Sequence, residues 1–240
     1  MAHKIVAMNL LKFPSAERGC TRLSWLDSRH SFSFGHYYDP RCMGFGALRV
    51  INEDIVAPGQ GFSTHPHANM EIVSIVLSGT LAHRDSMGHV QTLDAGEVQC
   101  MSAGSGIEHS EYNPSTDKPV HFLQIWLHPR QRDRVPAYGQ KAFPLSEREQ
   151  VWLPVVSAQG SGGSLSIDQD VTIYLTRLAA GTELAHELAP TRRAWLQLTE
   201  GQARVDGVDL AAGDGLAIQG GGRLRVQARS DLAAVLFDLP

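Results

Sequence analysis

Two short clusters carry the chemistry this sequence could do: His65-Pro66-His67 and His109-Ser110-Glu111. Each falls where the pattern reads as β-strand. Side chains two apart in a strand share a face, about 7 Å apart along the backbone, so each cluster can aim both of its groups at one point. Three imidazoles and a carboxylate converging inside a barrel would hold a divalent metal. With nitrogen and oxygen donors and no cysteine nearby in sequence, an open-sided Fe(II), Mn(II), Co(II), Ni(II) or Cu(II) site is favoured over a closed structural zinc site. An exchangeable position would permit redox or Lewis-acid chemistry.

In a chain with eleven histidines either cluster alone is weak evidence. They gain force together, because both lie at strand edges after glycine-containing turns, at a separation that lets two non-adjacent barrel strands face each other. Pro66 cannot donate to a sheet ladder and belongs at an edge or rim. Glu71 shares parity with His65 and His67, so spacing leaves the fourth ligand open between Glu71 and Glu111. The second domain's His186 reads as a surface or packed histidine. His83-Arg84-Asp85 echoes a kinase catalytic tripeptide, but no glycine-rich nucleotide loop, strand lysine or Asp-Phe-Gly accompanies it, and it reads as coincidence. His30, His36, His89, His121 and His128 have no partner at ligand spacing, and His121 reads as packed or exposed rather than supporting the site.

The elements that must position these groups are short runs of Val, Ile, Leu and Phe bounded by Gly, Asp, Asn and Ser, without long helical periodicity: a sandwich or barrel. Strands are expected near 45–51, 71–77, 98–102, 121–127, 171–178, 194–198 and 233–237. Asp206-Gly207 predicts a tight hairpin, since both residues tolerate positive φ. A polar stretch at about 129–150 places the domain boundary, giving 1–133 and 134–240, with 160–164 as a surface loop of the second domain. The halves look like a faint repeat, Gly61 to His67 answering Gly181 to Leu188. Leu188 stands where the first half has His67, and no histidine follows His186, so the second half is expected to be metal-free.

At 240 residues and 42% hydrophobic content the chain can bury a real core. A net charge of −4 argues against direct nucleic-acid binding. The start does not read as a signal peptide and no run suits a bilayer span, so no membrane partner and a cytoplasmic location are expected. Cys20, Cys42 and Cys100 read as reduced thiols.

The residues resemble the pirin family of bicupins, and within it the bacterial pirin-like quercetin 2,3-dioxygenases. The resemblance runs through Trp25-Leu-Asp-Ser-Arg-His30, Ser31-Phe-Ser-Phe34, Tyr37-Tyr-Asp-Pro40, Gly61-Phe-Ser-Thr-His-Pro-His67, Met70-Glu-Ile72, His83-Arg-Asp-Ser-Met-Gly88 and Met101-Ser-Ala-Gly-Ser-Gly106 with His109-Ser-Glu111. It is looser in Trp195-Leu-Gln197 and the ending Leu236-Phe-Asp-Leu-Pro240. The chain has two extra residues between Gly104 and His109 and no proline at Ser102, departures from the general cupin pattern that pirin-like members share.

The resemblance implies an all-β fold of two cupin (jelly-roll) β-barrel domains, a bicupin whose N-terminal domain alone binds metal through His65, His67, His109 and Glu111. That leaves Glu71 as an inward or supporting polar residue. It implies one divalent transition metal, Fe(II) first, with Cu, Mn, Co, Ni or Zn as alternatives. The implied reaction is oxidative ring opening of a flavonol with release of CO, Glu111 being the catalytic proton acceptor and the partners a small aromatic substrate and O2. A non-catalytic, redox-sensing regulatory or binding protein acting through protein contacts is the alternative, and an oxygenase or isomerase of another small molecule is a third.

Overall fold

The computed structural model describes residues 8–240; the first seven residues of the segment read for a leader lie outside them. The described residues form no α-helix, only strands and three short 3-10 turns. In chain order the strands are β1 (Asn9–Phe13), β2 (Gly19–Arg22), β3 (Leu26–His30), β4 (Leu48–Val56), β5 (Gly61–His67), β6 (Glu71–Ser78), β7 (Thr80–Asp85), β8 (Val90–Asp94), β9 (Glu97–Ser102), β10 (Ile107–Tyr112) and β11 (Val120–Leu127). There follow β12 (Ala137–Ala142), β13 (Leu153–Ser157), β14 (Leu165–Ser166), β15 (Thr172–Leu178), β16 (Glu183–Leu188), β17 (Arg193–Glu200), β18 (Gln202–Val205), β19 (Val208–Ala211), β20 (Gly215–Gln219), β21 (Gly222–Ala228) and β22 (Leu232–Leu239).

One compact unit comprises Gly19–Pro144 and Ser157–Gln169. Its larger sheet runs β12-β9-β6-β11-β4-β3-β2 and its smaller one β5-β10-β7-β8. Val76 and Phe122 of the larger sheet pack with Leu81 and Leu93 of the smaller, fully buried, which is how period-two patterning makes a jelly-roll sandwich. The other unit comprises the N-terminal segment through Arg18, Leu145–Val156 and Asp170–Pro240. It repeats the pattern: β20-β17-β22-β15-β13 in one sheet, β16-β21-β18-β19 in the other. Asp206 and Gly207, at φ 42° and 96°, turn the β18–β19 hairpin as their tolerance of positive φ predicts.

The faint repeat is therefore a repeat of topology, and the single cut expected between 133 and 134 gives way to discontinuous units. β1 pairs antiparallel with β20, Leu11 opposite Ala217. It covers the open edge of β20 just as β12 covers β9 in the other unit, satisfying ladder groups that would otherwise face solvent. The loop at 160–164, expected in the second domain, belongs to the unit that holds the histidines.

One feature of the larger sheet bears on function. Gln99, Ser74, Gln124, Asn52 and His30 stand directly opposite one another in turn on five neighbouring strands, β9, β6, β11, β4 and β3, and all are buried. Buried polar groups persist only where they are hydrogen-bonded. This rung meets the condition in part internally: Gln99 Nε2 donates to Ser74 Oγ at 3.0 Å, Ser74 Oγ to Gln124 Oε1 at 2.7 Å, and His30 Nδ1 lies 2.8 Å from Asn52 Oδ1. His30 also meets Thr21 and Gln99 accepts from Tyr138 within this sheet, while Ser74, Gln99 and Gln124 reach the smaller one.

Candidate metal centre

β10 alternates buried and exposed residues, sending Ile107, His109 and Glu111 inward. β7 does the same with Leu81, His83 and Asp85. The two strands are neighbours, His109 opposite Asp85 and Glu111 opposite His83. On the other side of β10 lies β5, the edge strand, with His65 directly opposite His109 and Pro66 at the unpaired rim. The strands carrying the two clusters are thus adjacent and hydrogen-bonded, rather than facing each other from non-adjacent positions. A bulge between the His65 and Phe62 pairings re-aims β5 at this point, a device common next to active sites.

The result is a convergence of three imidazoles. His109 Nε2 lies 3.0 Å from His67 Nε2 and 3.1 Å from His65 Nε2. His65 Nδ1 donates to the Ser63 carbonyl at 2.7 Å, which fixes the hydrogen there and leaves the Nε2 lone pair facing the cluster. One hydrogen at His109 Nε2 cannot serve both neighbours, so lone pairs are left pointing at a common space. Burial, with the neighbouring imidazoles His109 and His65, pushes His67 down to about 3; burial, with His65 and His83, does the same for His109. Neutral rings are what a cation requires. Two donors at right angles about 2.1 Å from an ion stand roughly 3.0 Å apart, so the donor set fits a divalent metal ion.

Glu111 is not a member of that tight group. Its carboxylate lies within 4.8 Å of ring nitrogens of His83 and His109 and forms a second donor group with them. The polar rung holds it: Gln124 Nε2 donates to Oε2 at 2.6 Å and Gln99 Nε2 to Oε1 at 3.0 Å, with Ser74 Oγ 3.2 Å from Oε1. Burial raises its pKa above the ordinary carboxylate value, although His83, His65 and these hydrogen bonds pull the other way. His109, His83 and Glu111 are fully buried while His65 and His67 are partly exposed, so the cluster opens to solvent on the β5 side. Trp126 stands edge-on to His67 with ring centroids 4.9 Å apart, and Phe34 edge-on to Trp126 at 5.3 Å, an apolar flank to the opening.

Glu71, the competing candidate, sits elsewhere. It is buried, accepts a hydrogen bond from Ser102 Oγ at 2.6 Å, and helps line a separate cavity of about 190 Å³ with Arg130, Arg134 and Asp168. Arg134 Nη1 bonds Asp168 Oδ1 at 2.7 Å, so the basic run at 130–134 is tied within its own unit. His121 pairs with Glu53 at 3.0 Å away from the cluster. His186, in the other unit, bonds Asp238 at 3.0 Å and packs beside Tyr174, a packed histidine. The three cysteines are free thiols.

Two histidines that the sequence reading set aside, His83 with its tripeptide and His89 on spacing, lie beside this cluster. His83 lies in the second donor group, and His89 Nδ1 reaches Asp85 Oδ2 at 2.9 Å while sharing a Tyr138 ring stack with His83. The parity of His83 with Asp85 on one strand was the available cue.

A jelly-roll pair with a buried histidine–carboxylate cluster in one unit defines a bicupin with a metal centre. The chain belongs to the pirin family: the profile described as Pirin matches residues 14–127, and one described as Quercetinase C-terminal cupin domain matches 154–239. The chain is similar to the quercetin 2,3-dioxygenase of Escherichia coli K12, 46% identical over 224 residues, covering 93% of this chain and 96% of that one. It is 39% identical to a pirin-like protein of Caulobacter vibrioides, over 89% and 92% of the two chains. Among solved structures, the bacterial pirin YhhW of E. coli in complex with nickel(II) superposes with a TM-score of 0.92 at 44% identity, covering 97% of this chain and 99% of that one. No helix among the described residues is long and apolar enough to cross a membrane.

Proposed function

We propose that this chain is a metal-dependent dioxygenase of the pirin-like quercetin 2,3-dioxygenase type, which opens the central ring of a quercetin-like flavonol with O2 and releases CO. The observation that carries the reading is the meeting of three imidazoles, His67 Nε2 and His65 Nε2 standing 3.0 and 3.1 Å from His109 Nε2, beside one buried carboxylate. The family relationship supports it, and the similarity to the E. coli quercetin 2,3-dioxygenase suggests the substrate class.

His65, His67 and His109 hold the ion, with Glu111 as the fourth ligand residue. Fe(II) is the proposed metal, and Cu, Mn, Co, Ni or Zn are the alternatives; the bound ion would supply an open position for the flavonol oxygen and tune electron flow from the ring to O2. Glu111 takes the 3-hydroxyl proton. Its burial raises its affinity for that proton, while Gln124 and Gln99 keep the carboxylate from drifting as it changes charge. Trp126 and Phe34 present apolar ring surface beside His67, which suits a flat aromatic substrate and excludes water. The Gly19–Pro144 unit is the metal domain, and the unit ending at Pro240, with only His186 in the corresponding strand, is the metal-free one.

The test is metal analysis paired with loss of the flavonol absorption band under air. Loaded protein should bleach quercetin, and His65→Ala or Glu111→Ala should abolish bleaching. Full metal occupancy with quercetin left intact would remove the dioxygenase reading and favour a metal-dependent regulatory or binding protein.

A further inference from the structure

His83 has no part in the chemistry above, yet its surroundings are those of a metal ligand. Its Nε2 lies 3.2 Å from Asp85 Oδ2. Asp85 is fully buried and fixed as an acceptor by the backbone N–H groups of Met87 at 3.0 Å and His89 at 3.1 Å and by His89 Nδ1. The hydrogen of His83 therefore sits on Nε2 and the lone pair on Nδ1. Metal-binding histidines almost always donate their second ring nitrogen to a carboxylate or carbonyl in this way, and His65 does so through Ser63.

His83 Nδ1 is buried and has no hydrogen-bond partner, and the same is true of His109 Nδ1. A buried polar atom left unpaired costs about 1–3 kcal/mol, and the Nδ1 lone pair of His83, on a residue grouped with a buried carboxylate, calls for a partner. Tyr138 stacks on the His83 ring at 4.9 Å and restrains its orientation.

We propose that His83, His109 and Glu111 form a second, inner seat for a divalent cation, sharing His109 and Glu111 with the outer seat, so that one ion per chain can occupy either position. The proposal rests on the reading of His109 and Glu111 as metal ligands. Ligand-capable atoms of the three residues lie within 4.8 Å of one another. The inner seat keeps His109 and Glu111 and takes His83 in place of His65 and His67, so it has one imidazole fewer beside the same carboxylate. Gln99 and Gln124 already orient the carboxylate, and Asp85 the new histidine, so the outer-sphere bonds of such a seat are in place.

The test is Co(II) binding, read by stoichiometry and by the visible absorption of the bound ion. The wild-type protein should bind one Co(II). His65→Ala/His67→Ala, which leaves the outer seat only His109 and Glu111, should still bind one, roughly 100-fold more weakly and with an altered spectrum. Adding His83→Ala should abolish that binding. Should the alanine disturb folding by circular dichroism, His83→Phe keeps a ring against Tyr138 without a donor and should give the same loss. If the double variant binds no Co(II), or binds it equally well after His83 is replaced, the inner seat does not exist. If wild-type protein binds none, the reading of His109 and Glu111 as ligands fails first.

Discussion

Gln124 donates to Glu111 Oε2 across 2.6 Å, joining the middle of the larger sheet to the buried carboxylate of the smaller one. The two strands, β11 and β10, are not neighbours in either sheet, so this bond spans the core of the unit. It sets where the carboxylate can sit when it is charged.

Gln124→Leu removes that donor while keeping a side chain of similar size. The expected outcome is a fall of about 10- to 100-fold in metal affinity with the fold intact, since partners of ligating groups contribute at that level. Competition against a chromophoric chelator checks it. An unchanged affinity would show that Glu111 is oriented without Gln124.

Period-two parity put His65 with His67 and His109 with Glu111, each pair on one face of its strand, but left Glu71 as a rival to Glu111, and the family resemblance chose between them. The rung beneath them was not legible. Ser74, Gln99 and Gln124 come from three strands far apart in sequence, and only the register of β6, β9 and β11 places them under Glu111. His83 gave no ligand signal in the sequence, because Glu111, the residue opposite it on β10, lies far along the chain. The two-barrel fold was readable from strand-and-turn punctuation. The attachment of β1 to β20 was not, since a strand of five residues at the start carries no mark of the edge it will cover.

Lys12 Nζ, Ser15 N–H and Ala211 N–H all bond the Asp214 carboxylate, at 2.8, 2.7 and 2.8 Å. Burial alone would raise its pKa, but these donors outweigh it and hold the group below its ordinary value. A carboxyl depressed in the folded state contributes stability above its unfolded pKa of about 4, and that contribution is lost as pH falls through the folded value. Urea unfolding of Asp214→Asn should therefore show a stability deficit at pH 7 that shrinks below about pH 4. A deficit independent of pH would assign it to packing instead.

His186→Ala removes the bond to Asp238, which keeps its contact with Arg192. Loss of one buried hydrogen bond costs about 1 kcal/mol, or a few degrees in Tm. Metal content and quercetin bleaching should match wild type, because the residue lies in the unit without a ligand cluster among the described residues. Loss of metal in this variant would contradict the assignment of the two units.

Gly61 offers a way to loosen the centre without touching a donor atom. A Cβ there would stand 2.2 Å from the Glu111 carbonyl oxygen and 2.6 Å from Tyr112 Cα, both backbone atoms that cannot turn aside. Gly61→Ala must push β5 away from β10, the pair whose register sets His65 opposite His109. The displacement spreads the three nitrogens, and a ligand shift of even a few tenths of an ångström is outside what a tight site tolerates. The expected result is weaker metal binding and slower bleaching at saturating metal. Wild-type affinity in Gly61→Ala would mean that β5 relaxes at its bulge and that the histidine cluster is set by β10 and the interior alone.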